Sequence, residues 1–581
     1  LLFDSITSFS RLRINRMLSN ESAPPPAFSR SNSQASIDST SMEDFWYEVE
    51  SIKESSEDGS DEAMLLEFKP ADEGELEAEW LQDVGLSTLI SGAEEEDGQA
   101  LLSTLTRTQA AAVQKRYNTY TQTLRKKNKH TVRDVRDIFG TSDSSVTNSC
   151  LDCGLDKGSP SVTEELSYEV SFSESITVLP KTQEWPKNQR FKKEDSALPV
   201  SFRFGLTEVG DLSPEDMKKI RYLSLIELTA FYDALGVELK RNRAERVRGR
   251  ENGLFGVPLT VLLENDQKKV PGIKVPLIFQ KLLLKLEETG LETEGILRVP
   301  GSASRVKNLH QELEAKFYED TFDWDQVRNN DAAGLLKMFI RELPSPLFTV
   351  EYLPAFITLI KLQLQALHLL IMLLPEANRD TAKAFLQFLK KVVANEGKNK
   401  MNLWNVSMIV APNLFIYKGK RANQQEMQAA ATTAHIVRLL IRYQDILWTV
   451  PSFLISQVRK MNEAAMNNSK RQLMFDKGGA VTFPPYLQSD IPEGVIRVYA
   501  PLHSKVSMAI QLNSQTKAKD ILARFHCENS CGSSQNVRGQ IQSLHEIGGN
   551  IGQHCLDPDA YMLDVYRANP QAEWVIKPKA S

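Results

Sequence analysis

Arg298 lies in the run Leu291-Glu292-Thr293-Glu294-Gly295-Ile296-Leu297-Arg298-Val299-Pro300-Gly301, after a helical pattern from Pro276 to Glu288 that stops at Gly290. Gly295 on one side and Pro300-Gly301 on the other predict a defined loop between two helices, which holds the arginine out instead of laying it along a helix face. A guanidinium so held is a permanently charged, planar fork of donors. Lys337 and Arg341 are four apart in the helical run that begins at Asp331 and closes on Leu343-Pro344-Ser345-Pro346-Leu347, so they share one face. Asn399 stands just before, and Asn405 within, a helical pattern that ends at Pro412. The chemistry these residues offer is fixed positive charge and hydrogen bonding.

Other chemistries find little support. No Gly-x-x-x-x-Gly-Lys-Ser/Thr loop is present to cradle a nucleotide of the chain's own. Cys150-Leu151-Asp152-Cys153 has a zinc-like spacing but no second pair or nearby histidine, and His526, Cys527, Cys531, His554 and Cys555 match no compact ligand set. No metal site is expected. Five cysteines in 581 residues do not make a disulfide framework, which fits a reducing compartment. Leu1 to Arg11 carries Asp4 and no basic stretch before its apolar residues, so no secretory signal is expected. The richest apolar run, Leu367–Leu374, stops at Pro375 and reads as a buried helix, not a membrane span. A cytoplasmic protein follows. The net charge of −6 excludes a general nucleic-acid binder.

The elements that must position these residues come from a longer pass along the chain. Hydrophobic content of 41% suggests folded and unfolded stretches averaged together. Residues 1–205 read as largely disordered with short helices. Their Arg-flanked serines (Ser29, Ser31, Ser33) fit either phosphorylation sites or a plain flexible tail. From Ser41 to Ala100 there are 20 acidic residues against Lys53 and Lys69. Within that block Leu76, Trp80 and Val84 recur at helical spacing, giving either a docking helix over 76–84 or a fluctuating helix with no partner. The basic run Arg125-Lys126-Lys127-Asn128-Lys129 ends a helical stretch and suits its dipole. Residues 206–253 hold an amphipathic helix, capped by Ser213 with Pro214 and Asp216, and a basic connector. Residues 254–455 are one dense succession of helical patterns, 456–492 a polar linker, and 493–581 a small α+β unit with strands near 495–501, 506–512 and 573–577.

Three segments in this order carry a resemblance. Glu294-Gly295-Ile296-Leu297-Arg298 resembles the finger loop of the Rho GTPase-activating (RhoGAP) domain, Lys337 to Leu347 its signature helix and turn, and Asn399 to Leu414 its later Asn-containing helix. The match covers about 200 residues, and flanking segments such as Met42-Glu43-Asp44-Phe45-Trp46 resemble one subgroup of that family. The resemblance implies a mainly α fold, with an all-helical RhoGAP domain, a long disordered N-terminal region and a C-terminal ubiquitin-like (β-grasp) domain. It implies a GTPase activator and not an enzyme in its own right. Arg298 would be the catalytic arginine, and Lys337, Arg341, Asn399 and Asn405 would bind the GTPase. The partner would be a GTP-bound Rho-family protein, Rho ahead of Rac and Cdc42, in signalling to the actin cytoskeleton. No cofactor is implied, since Mg and GTP belong to that partner. Two departures stand out: Pro300 replaces a small polar residue after the finger, and the segment between Tyr352 and Pro375 is short. A non-catalytic GTPase-binding scaffold is the rival reading. A third places the acidic N-terminal block against the basic finger face in cis.

Overall fold

The computed structural model describes residues 45, 47–51, 73–91, 96–127, 171–178, 203–236, 239, 250, 252–348, 363–415, 430–476, 494–503, 505–529 and 541–579. Residues 45 and 47–51 are helical. Helices α1 (Glu73–Asp83), α2 (Thr88–Ser91), α3 (Glu96–Thr104), α4 (Arg107–Lys127) and α5 (Phe172–Val178) follow. The main body contains α6 (Pro214–Ala234), α7 (Leu259–Gln267), α8 (Leu277–Thr289), α9 (Ala303–Lys316), α10 (Asn329–Glu342), α11 (Gln363–Leu373), α12 (Glu376–Ala394), α13 (Glu396–Asn399), α14 (Leu403–Phe415), α15 (Ala430–Arg442), α16 (Gln444–Leu447) and α17 (Ser452–Asp476). The C-terminal unit runs β1 (Val495–Tyr499), β2 (Ser507–Gln511), α18 (Ala518–Asn529), β3 (Gln542–Gly548), β4 (Ile551–Cys555), α19 (Met562–Ala568) and β5 (Glu573–Pro578).

Within the N-terminal stretch the described residues form short helices, as expected, and several of them pack on the main body. Trp80, Leu81, Val84, Leu86, Leu101, Val113 and Tyr117 are buried in the same apolar cluster as the main helical body. The stripe at 76–84 therefore has a partner, and it is this chain's own α6: the Trp80 indole N–H donates to Thr229 Oγ1 at 3.2 Å. That contact explains why α6 is not the two-faced helix its spacing suggested. Every residue from Leu223 to Tyr232 is buried, with α4, α5, α11 and α17 packed around it. Glu227 inside α6 accepts from Gln109 Nε2 at 2.7 Å and from the Ser173 N–H at 2.8 Å, tying α4 and α5 to it.

The start of α6 follows its sequence signals. Ser213 Oγ accepts from the Asp216 N–H at 3.2 Å, with Pro214 in the first turn. The Asp216 carboxylate is buried against α17 and the C-terminal sheet, accepting from the Gly552 N–H at 2.8 Å and Asn462 Nδ2 at 3.0 Å. The expected linker after 456 is also helical: α17 buries Phe453, Leu454, Val458 and Met461 at helical spacing. Residues 477–493, like the Cys150–Cys153 pair, the connector at 240–249, the serines at 29–33 and positions 352–362 of the shortened segment, lie outside the described residues.

The C-terminal sheet has the order β2-β1-β5-β3-β4, with β1 parallel to β5 and the other neighbours antiparallel. This is the ubiquitin-like topology expected, with its own core around Val498, Ile510, Phe525, Leu544 and Ile576. It is held to α17 by Arg459, which donates to both oxygens of Glu546 at 2.7 and 2.8 Å. Among the described residues no helix is long and apolar enough to cross a membrane.

Candidate functional site

The loop between α8 and α9 is built to a single shape. Gly295 has φ +69° and Leu297 φ +70°, so two residues within three adopt left-handed backbone. A Cβ on Gly295 would sit 2.6 Å from Val299 Cγ2, which leaves glycine as the fitting residue. Leu297, with a full side chain, holds the same conformation because its apolar body is buried at 1% exposure. The Arg298 and Val299 N–H groups both donate to the Gly295 carbonyl, at 2.9 and 2.8 Å. Ile296 and Leu297 thus point into the core, while Arg298 is exposed at the turn's outer edge.

Neighbouring elements fix this loop from behind. Asn399, at the end of α13, is fully buried; its Nδ2 donates to the Leu291 and Val392 carbonyls, both at 2.8 Å, and its Oδ1 accepts from the Met401 N–H at 2.8 Å. The Asn399 carbonyl also accepts from the Gly295 N–H at 2.8 Å. Helix α10 holds both ends. Near its start Asn329 Nδ2 donates to the Thr289 carbonyl and Thr293 Oγ1, both at 2.9 Å. Buried Asp331 accepts from the Ser302 N–H at 2.9 Å and from Arg305 Nε at 2.8 Å. Two turns on, Lys337 Nζ donates to the Leu297 carbonyl at 3.1 Å, one residue before Arg298. The helix can do this because Ala332, Ala333, Leu335, Leu336, Phe339 and Ile340 occupy its core face, leaving Lys337 and Arg341 on its flank.

That flank is covered. Glu48, from the N-terminal helical segment, accepts from Lys337 Nζ at 2.6 Å through Oε2, and from Arg341 Nη1 at 3.3 Å and Asn413 Nδ2 at 3.2 Å through Oε1. Asn413 lies in the last turn of α14 and also donates to the Ile409 carbonyl at 2.9 Å. The side chains of Lys337, Arg341 and Glu48 are only 12%, 14% and 7% exposed. Burial pushes the Lys337 ammonium and the Arg341 guanidinium down from their ordinary values, and Glu48 opposes the shift in both.

The structure brings Arg298, Lys337 and Arg341 to one site. Asn399, expected to bind the GTPase, is fully buried here, and its side chain and carbonyl are taken up by Leu291, Val392, Met401 and Gly295 of the loop and its surroundings. Asn405 is half-buried in the first turn of α14, where its N–H donates to Asn402 Oδ1 at 2.8 Å. Four residues of the site were not singled out in the sequence. Asn329, Asp331 and Asn413 are ordinary polar residues within helical patterns. Glu48 is one of 20 acids in its block. Only the pairing of an acid with the Lys337–Arg341 face could have been anticipated from charge, and no spacing marks which acid.

Comparison with known proteins adds the lineage. A family model described as "RhoGAP domain" matches residues 276–419. "RHG40-like, C-terminal ubiquitin-like domain" matches 495–579, and "Rho GTPase-activating protein 18-like, N-terminal SAM domain" matches 50–128, which includes α1 to α4. The chain is similar to mouse Rho GTPase-activating protein 28, at 54% identity over 97% of this chain and 94% of the relative. It is also similar to human Rho GTPase-activating protein 18, at 49% identity over 95% and 91%. Among solved structures it is similar to human Rho GTPase activating protein 15, with 25% identity and a TM-score of 0.30 over 34% of this chain and 93% of that one. By its RhoGAP domain and its near full-length identity to those relatives, the chain belongs to the Rho GTPase-activating protein family.

Proposed function

We propose that the chain binds a GTP-loaded Rho-family GTPase and places Arg298 beside the transferring phosphoryl group, so that hydrolysis is accelerated and signalling ends. Hydrolysis spreads negative charge over that group, and a small GTPase gains from one more positive charge held at the right place. A guanidinium supplies it with a planar fork of donors that matches phosphate oxygens. The carrying observation is the contrast within one loop: its backbone is fixed by Asn399, Asn329, Asp331 and Lys337, while Arg298 itself is exposed. A donor on a preordered loop needs little reorganisation when charge develops, which is where electrostatic catalysis gains most.

In this reading Lys337 and Arg341 receive the GTPase's switch surface and Asn413 joins them. Mg and nucleotide remain the partner's. Resemblance supports Rho ahead of Rac and Cdc42, acting in the cytoplasm on actin organisation. The test is phosphate release from GTP-loaded Rho, Rac and Cdc42 under single-turnover conditions. Arg298→Ala should remove about three to five decades of stimulation, on the order of 4–7 kcal/mol of barrier, while the complex still forms. Arg298→Lys should recover little, because an ammonium lacks the fork. Undiminished stimulation by Arg298→Ala would sink the finger assignment, and binding without any stimulation by the parent chain would favour the scaffold reading.

A further inference from the structure

We propose that the helical turn carrying Phe45, Glu48 and Val49 is an intramolecular competitor of the GTPase, with Glu48 as the carboxylate that closes the site. The inference rests on the reading that the Lys337–Arg341 face receives the GTPase. Phe45, Glu48 and Val49 fall at i, i+3 and i+4 of one helical turn and are 3%, 5% and 3% exposed, whereas Tyr47 on the other side is 61% exposed. One face of the segment is therefore seated, with Phe45 and Val49 joining the main apolar cluster. The two apolar residues anchor the turn, and the acid between them meets three donors at once: Lys337, Arg341 and Asn413.

These contacts occupy the groups a partner would need. Arg341 has its guanidinium turned to Glu48 Oε1, Asn413 divides its amide between Glu48 and the Ile409 carbonyl, and Lys337 divides its ammonium between Glu48 and the Leu297 carbonyl. All three lie beneath the segment, so a GTPase cannot reach them until it leaves. Lys337 also links this seat to the finger loop: the same Nζ that holds the residue before Arg298 is held by Glu48. The occupant is on the same chain as its seat, which gives it an effective concentration set by the tether. The affinity seen by a GTPase is then reduced by the fraction of molecules with the seat open.

The experiment uses the full chain and GTP-loaded Rho, reading single-turnover kcat/KM and the thermal melt of each variant. Glu48→Gln removes the charge and keeps the shape. Phe45→Asp removes the anchor and keeps Glu48. Both should raise kcat/KM about tenfold, through KM more than kcat, as the open fraction rises. Arg298→Ala is run beside them. If both variants melt like the parent and match its rate while Arg298→Ala loses stimulation, the intramolecular competitor is refuted and the finger stands. If Arg298→Ala keeps full stimulation, the reading beneath the proposal fails instead, whatever Glu48 does. Should Glu48→Gln lose its folding transition because Lys337 is left buried without an acid, Phe45→Asp decides alone: a raised rate supports the proposal and an unchanged one overturns it.

Discussion

Asn399 should matter more to the finger than any residue that touches a partner only weakly. Its side chain holds the Leu291 carbonyl, the Val392 carbonyl and the Met401 N–H, each at 2.8 Å, at zero exposure. Asn399→Ala orphans two of these, since the Val392 carbonyl keeps the Asn395 N–H at 3.1 Å. At about 1–3 kcal/mol for each buried group left unpaired, the loss is roughly 2–6 kcal/mol. Asn399→Asp should cost at least as much. It preserves the acceptor for Met401 but turns a second oxygen onto two carbonyl oxygens at a fully buried position. Denaturant unfolding followed by tryptophan fluorescence gives the stabilities, and single-turnover hydrolysis gives the consequence. A loop loosened at Leu291 and Gly295 misplaces Arg298, and a misplacement of about 1 Å is worth on the order of a hundredfold in rate. The fall should appear at saturating GTPase, in kcat. An aspartate variant as stable as the parent would refute the hydrogen-bond assignment. An alanine variant that loses stability yet stimulates fully would refute the link from Asn399 to the finger.

Gly301→Ala should lower both stability and stimulation, because a Cβ there lies 2.5 Å from Asp331 Oδ1 and 2.9 Å from the Asn330 carbonyl. The cost expected is about 1–3 kcal/mol, read by thermal melting. Arg459→Ala should cost about 3–5 kcal/mol and expose the junction between α17 and the C-terminal sheet to limited proteolysis, because it leaves Glu546 buried without its cation. Burial alone would raise the Glu546 carboxyl, but hydrogen bonds from Arg459 and His554 outweigh it and hold the group down to about 2. A depressed carboxyl contributes stability above its unfolded value of 4.5 and loses it as pH falls from there toward about 2. The gap between parent and Arg459→Ala should close across that window in a pH series of unfolding midpoints, and a constant gap would count against the pair.

Local signals were legible in the sequence wherever the deciding partner was near in the chain. The Gly295-to-Gly301 loop, the four-residue spacing of Lys337 and Arg341 and the Ser213 cap all appear as their spacing predicts. What was not legible depends on distant residues. The stripe through Trp80 has the right period but no sequence feature names Thr229, 149 residues away, as its partner. Glu48 and Lys337 are separated by 289 residues. Asn399 was visible as a residue but not as a bracket, since its role comes from Leu291 and Val392 on either side of it in space. The segment after 456 looked polar because Gln457 and Arg459 are buried in hydrogen bonds that only the folded N-terminal helices and C-terminal sheet supply.

The energetics of the Glu48 seat explain why charge, and not an apolar plug, would cover a site that must open. Two cations and one carboxylate buried together lose much of their hydration, and their attraction roughly offsets that loss, so such a cluster contributes little net stability. An apolar turn of the same size would gain from burial with no opposing term and would be hard to dislodge. Here the apolar gain is confined to Phe45 and Val49, while Glu48 supplies fit without much net holding strength. When the segment leaves, Lys337 and Arg341 recover their hydration at once, and so does Glu48. On this proposal a GTPase surface carrying its own acidic or carbonyl groups needs to exceed only the small remainder, and the three donors that the segment had covered then serve the partner.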